Sequence, residues 1–175
     1  HIIAAKAAGF QEALKPEFKD YIKSVIANAK VLAETLKNNG FKIYSGGTDT
    51  HLMLVDLRPF NVKGNLASDS LSRANITCNK NGIPFDTESP MITSGIRLGS
   101  QAATTRGFGL KEFQKVGELI TKIIKGLSNN PSDNSKIEED VRNEVIELCA
   151  AFPIYNKLKQ QLWSVQFAKK VKLQL

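Results

Sequence analysis

Apolar side chains recur along much of the chain at alternating spacings of three and four residues, the spacing that places them on one face of a helix. The longest such stripe predicts a helix over about 17–38, which Gly40 ends by supplying a residue that tolerates positive φ. Similar stripes predict helices over 111–127 and 137–152. The first stripe consists of Phe18, Ile22, Val25, Ala29, Leu32 and Leu36.

Short runs rich in apolar residues lie between these helices and predict strands. Residues 41–44 and 52–56 are separated by the turn-forming sequence SGGTDT and are expected to form a hairpin. An apolar helix over 1–14, a helix over about 66–75 and a brief strand at 76–78 complete the pattern. The alternation of helices with short strands favours a two-layer α/β (α+β) fold, in which helices pack on a small sheet.

The composition is that of one soluble domain. With 175 residues, 42% of them hydrophobic, the chain is long enough for one buried core and short for two. No apolar run approaches the length that crosses a bilayer, and the opening IIAAKAAGF lacks the basic leader of a signal peptide. Cys78 and Cys149, without a CxxC motif or a nearby histidine pair, predict neither a metal site nor a disulfide framework, which indicates a reducing cytoplasm.

The net charge of +7 raises the question of a nucleic-acid partner, because clustered lysines release counterions from phosphate backbones. Here the basic residues are spread over helical faces and the C-terminal tail, and no aromatic stacking motif accompanies them. This distribution is typical of solvated surfaces. The sequence therefore predicts neither a nucleic-acid partner nor a membrane partner.

The stretch 79–100, NKNGIPFDTESPMITSGIRLGS, places many turn-forming residues between two short apolar runs and predicts a long, specified loop. After it, Ile92, Ile96 and Leu98 share one face of a predicted strand, and Arg97 points to the opposite face. A guanidinium held by a strand can bind a carboxylate through two parallel charge-assisted hydrogen bonds. The residues alone leave a second interpretation open, in which Arg97 is an edge-strand arginine in water or in a structural ion pair.

Motifs along most of the chain resemble those of one enzyme family. The segments NKNGIPFD, TSGIRLGS and TTRGFG look like the C-terminal part of serine hydroxymethyltransferase, the pyridoxal-phosphate and folate enzyme that interconverts serine and glycine. HIIAAKAAGFQEAL, SGGTDTHLMLVDLR and VRNEVIELCAAFPIY are similar to the same family, in its order and at similar spacing. The resemblance implies that residues 1–155 are the C-terminal small domain of a fold-type-I pyridoxal-phosphate-dependent transferase, with 1–14 a helix that packs on the large domain.

The resemblance also assigns residues to the site, motif by motif. Arg97 would hold the carboxylate of serine or glycine and so orient the bonds at the α-carbon. Arg106 is not assigned by the resemblance; from its place between Thr105 and Gly107, it either braces the loop over 79–100 and so supports the site, or is simply exposed. The contacts to the cosubstrate tetrahydrofolate map to Asn81, Ser89, Pro90 and Met91. From its local sequence alone, Asn81 could instead close an Asx-turn before Gly82.

One element of the family pattern does not occur in this chain. The family's Schiff-base lysine lies in a TTHKT-type motif upstream of the HIIAAKA segment, and no such motif is present. We therefore expect the chain by itself neither to bind pyridoxal 5'-phosphate covalently nor to turn over serine, whereas the full-length enzyme would be a cytoplasmic homodimer or tetramer. The alternative is a stand-alone, non-catalytic binding or interaction domain.

The segment 156–175 is basic and lies outside the resemblance. It is only loosely amphipathic, so a helix on a membrane surface is the less favoured interpretation. A species extension and an added tail both remain open, and its role is not predicted.

Overall fold

The computed structural model describes residues 1–154 and 173–174, and in these ranges helices and short strands alternate. The helices are α1 (Ile2–Ala13), α2 (Pro16–Asn38), α3 (Gly64–Arg73), α4 (Gln101–Arg106), α5 (Leu110–Asn129) and α6 (Ser135–Ala150). The strands are β1 (Lys42–Ile43), β2 (Leu52–Asp56), β3 (Ile76–Thr77), β4 (Asn79–Asn81), β5 (Gly95–Gly99) and β6 (Leu173–Gln174). The three long predicted helices correspond to α2, α5 and α6, and the predicted hairpin is formed by β1 and β2.

Four strands form one antiparallel sheet in the order β1-β2-β5-β4. Strand β5 is therefore an interior strand, paired on both sides. Its register places Ile96 opposite Val55 and Leu98 opposite Met53, so these four side chains share one face. Strands β3 and β6 pair separately, in parallel.

The core lies between this apolar face of the sheet and the helices. Ile96 and Leu98 are fully buried, and so are the inward stripes of α2 and α5. The first stripe is buried from Val25 onwards, while Ile22 near the start of α2 is exposed. The predicted two-layer α/β fold with a small sheet and packed helices is confirmed.

The structure corrects two details of the sequence prediction. Ile92 does not belong to the strand that carries Arg97, because Thr93 adopts a φ of 62° and turns the chain before β5 begins. The polar segment that follows the strand folds as α4, a helix that the apolar pattern does not predict.

Helix α1 forms as predicted, but none of its residues is buried within the described part of the chain. Its apolar side chains face outwards, including Ile3 and Phe10, and so does Leu14 directly after it. No helix among the described residues is long and apolar enough to cross a membrane. The predicted tail at 156–175 lies outside the described residues, apart from β6.

Candidate functional site

An open cleft of about 390 Å³ lies where β4, β5 and α4 meet. Of the described residues that line it, only Arg97 is charged, so this wall of the cleft carries a positive charge and suits an anionic ligand. The other lining residues contribute apolar side chains, two side-chain amides, one hydroxyl and the backbone of a glycine. The full set is Leu52, Asn79, Arg97, Leu98, Gly99, Gln101, Ala102 and Thr105.

Arg97 is positioned by an interior strand. It lies opposite Leu54 on β2 and opposite Asn79 on β4. The neighbouring residues Ile96 and Leu98 are buried, whereas the Arg97 side chain is exposed on the other face, as the alternation of β5 predicts. Burial of its two neighbours therefore fixes the direction in which the guanidinium points.

The guanidinium of Arg97 makes no hydrogen bond or ion pair with the described residues, in contrast to three other arginines. Arg58 binds Asp56 through Nε and Nη2, and Arg73 binds Glu138 in the same way. Arg106 donates to two backbone carbonyl oxygens. The structural ion pair that the sequence left open for Arg97 is not formed in this part of the chain, so its donors are available to a ligand.

The wall of the cleft that α4 provides is anchored to α2. The Ser100 hydroxyl at the start of α4 donates to the Val25 carbonyl oxygen at 2.7 Å. The buried Asn28 amide donates to Thr104 Oγ1 at 2.9 Å, and the Tyr21 hydroxyl shares a hydrogen bond of 2.9 Å with Thr105 Oγ1. These contacts hold the start of α4 beside the end of β5.

Arg106, the predicted supporting residue, does not line the cleft. Its Nε donates to the Phe152 carbonyl oxygen at 2.6 Å and its Nη2 donates to that of Cys149 at 2.9 Å, at the end of α6. A cation at this position also complements the negative end of the α6 dipole. Any support that Arg106 gives to the cleft is therefore indirect, because it fixes the C-terminal end of α4.

The segment 83–94, which we call the site loop, connects β4 to β5 and is organised around Asp86. Its carboxylate accepts hydrogen bonds from the backbone N–H groups of Ile83, Glu88 and Ser94 and from the Ser94 hydroxyl. Burial opposes ionisation of Asp86, but the Ser94 hydroxyl and the three N–H donors outweigh it, so the pKa of Asp86 lies well below its usual range.

The four predicted folate-binding residues lie in two places, Asn81 at the end of β4 and the other three on the site loop. Asn81 ends β4 opposite Gly95, so it shares a face of the sheet with Arg97. Its Nδ2 donates to the Gly82 carbonyl oxygen at 2.7 Å, a local contact that differs from the Asx-turn left open by the sequence. Ser89, Pro90 and Met91 are exposed on the site loop, and Lys80 Nζ on β4 donates to the Met91 carbonyl oxygen at 2.7 Å.

Asn79, Gln101 and Asp86 are site residues that the sequence analysis did not single out. The alternation of β4 gives a signal for Asn79, because it lies two residues before Asn81 and therefore on the same face. Nothing comparable marks Gln101, whose amide oxygen lies over Gly99 at the end of β5. The turn-rich sequence around Asp86 suggests that its carboxylate binds nearby backbone N–H groups. Its bond to Ser94, eight residues further on, crosses the loop and has no local signature.

The lining of the cleft does not by itself fit pyridoxal 5'-phosphate. Among the described residues that line it there is neither a lysine amine for the cofactor's aldehyde nor a carboxylate for its pyridine nitrogen. Its donor set fits a carboxylate instead. In the described part of the chain, no group of three or more His, Cys, Asp or Glu side chains could hold a metal ion.

Comparisons with known proteins agree on one family. The family model described as serine hydroxymethyltransferase matches residues 1–120. A serine hydroxymethyltransferase of Pelagibacter ubique is 82% identical over 159 residues, which are 91% of this chain and 36% of that protein. One of Marinomonas sp. is 64% identical over 155 residues, or 89% of this chain and 36% of the relative. The chain thus spans little more than a third of the length of these curated relatives.

Proposed function

The chain belongs to the serine hydroxymethyltransferase family, and from that premise we propose that it is the C-terminal part of an enzyme that interconverts serine and glycine. The one-carbon unit released from serine would pass to tetrahydrofolate. One observation carries the proposal: Arg97, held by an interior strand in the wall of an open cleft, has no acidic partner among the residues that the structure describes.

Arg97 would act by orientation. Two parallel N–H groups of the guanidinium match the two oxygens of the substrate carboxylate, so the amino acid is held in one plane and not merely attracted. Pyridoxal 5'-phosphate, when bound by the whole enzyme, supplies an electron sink for the bonds at the α-carbon. By holding the carboxylate, Arg97 would fix the orientation of the bonds at the α-carbon of the bound amino acid. Asn79 and Gln101 offer side-chain amides beside the same ligand position.

The site loop would supply part of the tetrahydrofolate site. Asn81 can offer a donor and an acceptor to a pterin edge, and its position on the same sheet face as Arg97 supports this role. Ser89, Pro90 and Met91 are accessible, and the contact between Lys80 and the Met91 carbonyl oxygen holds them near β4. Asn81 therefore adjoins the proposed amino-acid contacts on one face of the sheet, whereas Lys80, which pairs with Ile96, makes its contact with the site loop from the opposite face of β4.

Helix α1 would pack on the large domain of the family fold. All of its residues are exposed, and Phe10 is 69% exposed. Such exposure of a phenylalanine is unusual on a helix that is not covered by another domain or subunit. We further propose that the whole enzyme is a cytoplasmic homodimer or tetramer. The two free cysteines are consistent with a reducing compartment.

The test of this proposal is Arg97→Lys in an enzyme of the relatives' full length that carries this chain. Lysine keeps the charge but loses the planar fork, so we expect serine to bind roughly tenfold or more weakly, the value of one charge-assisted hydrogen bond. Equilibrium titration of the enzyme with serine measures this directly. Arg142→Lys on the exposed surface of α6 is the matched control. Unchanged serine affinity in Arg97→Lys would refute the assignment.

A further inference from the structure

Asp86 joins three separated points of the site loop through one carboxylate. Its Oδ2 accepts from the N–H groups of Ile83 at 3.2 Å and Ser94 at 2.9 Å. Its Oδ1 accepts from the N–H group of Glu88 at 3.0 Å and from the Ser94 hydroxyl at 2.6 Å. Since Ile83 and Ser94 are the first and last residues of the site loop, this side chain ties its ends together.

The exposed residues 89–91 lie between two of these contacts, at Glu88 and Ser94. Their own side chains contribute little to holding them, because Met91 is 72% exposed and Ser89 and Pro90 are also on the surface. The segment is therefore held through backbone groups: at its two ends, and by the carbonyl oxygens of Met91, which accepts from Lys80 Nζ, and Ser89, which accepts from the N–H groups of Ile92 and Thr93. Both of those ends are hydrogen-bonded to Asp86.

The site loop is held in a conformation that its residues do not prefer. Phe85 has a φ of 56° and Thr93 a φ of 62°, values that are unfavourable for aromatic and β-branched side chains. Phe85 is 97% exposed, so packing of its ring does not compensate for this conformation. Both residues adjoin partners in the Asp86 cluster, whose four hydrogen bonds therefore contribute to the compensation, together with the backbone bonds of Thr93 to Ser89 and Gly64.

Arg97 is supported in a different way. It is held by the pairing of β5 with β2 and β4 and by burial of Ile96 and Leu98 on the opposite face. None of these contacts involves Asp86. Arg97, like Asn81, is therefore supported by the sheet, whereas the segment 89–91 depends on the site loop.

We propose that Asp86 is a positioning residue for the folate half of the site, which keeps residues 89–91 in the conformation that receives tetrahydrofolate while leaving amino-acid binding to Arg97 intact. This inference rests on the proposed function. It assigns Asp86 no contact with substrate.

The test is Asp86→Asn in the enzyme of the relatives' full length that carries this chain. Asparagine has the same size but no charge, and one of its two side-chain positions is an NH₂ group that cannot accept a hydrogen bond from the surrounding N–H and O–H donors. The side chain therefore loses about half of its capacity to accept hydrogen bonds. We expect tetrahydrofolate to bind about tenfold or more weakly, and serine affinity to change by less than about threefold. Backbone hydrogen exchange over 83–94 should become faster, and exchange over β2 and β5 should not change.

Two further variants make the comparison specific. Ser94→Ala removes only the 2.6 Å hydroxyl contact, so we expect a smaller loss of tetrahydrofolate affinity in the same direction. Asp133→Asn is the matched control, since Asp133 also accepts a backbone N–H bond, from Ser135, but on the connection before α6. It should leave the affinities for both ligands unchanged.

The outcomes separate this inference from the function on which it rests. If the unmodified enzyme binds both ligands and Asp86→Asn binds tetrahydrofolate equally well, the role of Asp86 is overturned and the proposed function stands. If the affinities for serine and tetrahydrofolate fall together, Asp86 supports the whole domain and not the folate half. If the unmodified enzyme binds neither ligand, the proposed function fails and this inference fails with it.

Discussion

The ion pair between Arg73 on α3 and Glu138 on α6 is asymmetric, and this asymmetry predicts different costs for removing either partner. Glu138 accepts from Arg73 Nε at 2.6 Å and Nη2 at 2.7 Å, and from the Ser70 hydroxyl at 2.6 Å. The Glu138 side chain is 9% exposed and that of Arg73 is 56% exposed. When the pair is broken, the arginine can turn to water, but the carboxylate remains buried.

The two substitutions should therefore differ by a measurable amount. Arg73→Gln leaves a buried charge with one hydroxyl donor from Ser70, and we expect a loss of about 3 kcal/mol in the free energy of unfolding. Glu138→Gln removes the charge and keeps the shape, so it loses mainly the charge-assisted part of its hydrogen bonds, about 1.5 kcal/mol. The double variant should lose less free energy of unfolding than the two single variants lose when their losses are added, since the buried charge is then absent.

Urea unfolding of the 175-residue chain measures these free energies. Arg142→Gln, an exposed arginine on α6, is the control and should change the free energy of unfolding by less than about 0.5 kcal/mol. The asymmetry would be refuted if Arg73→Gln lowered the free energy of unfolding by no more than Glu138→Gln does. Such a result would mean that water reaches the carboxylate once the arginine is removed.

The same pair predicts a pH dependence. The hydrogen bonds from Arg73 outweigh burial and hold the pKa of Glu138 below its ordinary value of 4.5. Because the pKa is lower in the folded than in the unfolded state, the stabilisation is complete above about pH 4.5 and is lost as the pH falls through the folded-state pKa. The difference in stability between the unmodified chain and Glu138→Gln should therefore narrow on acidification, and a constant difference would contradict the reasoning.

Two further predictions concern the cleft and the cofactor. In Gly99→Ala, the new Cβ would lie 2.8 Å from Gln101 Oε1 and 3.1 Å from Leu52 Cδ2, so the Gln101 amide must move and serine affinity of the full-length enzyme should fall several-fold in titration. Gly47→Ala, where a Cβ meets no atom within 4 Å, should bind serine normally, and equal losses in both variants would exclude a local effect. The isolated 175-residue chain, titrated with pyridoxal 5'-phosphate, should show no lysine-linked absorbance band, and such a band would show that one of its own lysines forms the Schiff base.

The sequence predicts those parts of the fold that local pattern determines. The stripes of α2 and α5 mark their buried faces, because a helix repeats its contacts with the core every three or four residues. The alternation around Arg97 correctly predicts the face on which it lies. The prediction that Ile92 shares a strand face with Ile96 and Leu98 is wrong, since the chain turns at Thr93, whose positive φ depends on contacts outside the strand.

Those contacts come from α3, which explains why the sequence could not reveal them. The N–H group of Gly64 donates to the Thr93 carbonyl oxygen at 2.9 Å, and that of Asn65 donates to the Ile92 carbonyl oxygen at 2.9 Å. The end of the site loop thus satisfies donors that would otherwise be free at the start of α3. The two segments are about thirty residues apart, so pairing of this kind has no local signature.

Helix α3 therefore connects the core to the site loop. At its start, a Cβ on Gly64 would lie 2.1 Å from Thr93 Oγ1 and 2.5 Å from the Gly95 carbonyl oxygen, so the helix and the loop end are in direct backbone contact. At its other end, Arg73 is bound to α6 through Glu138. A shift of α3 relative to α6 would move the end of the site loop. The Arg73→Gln substitution should therefore change the position of the site loop more than that of Arg97, which the sheet holds independently.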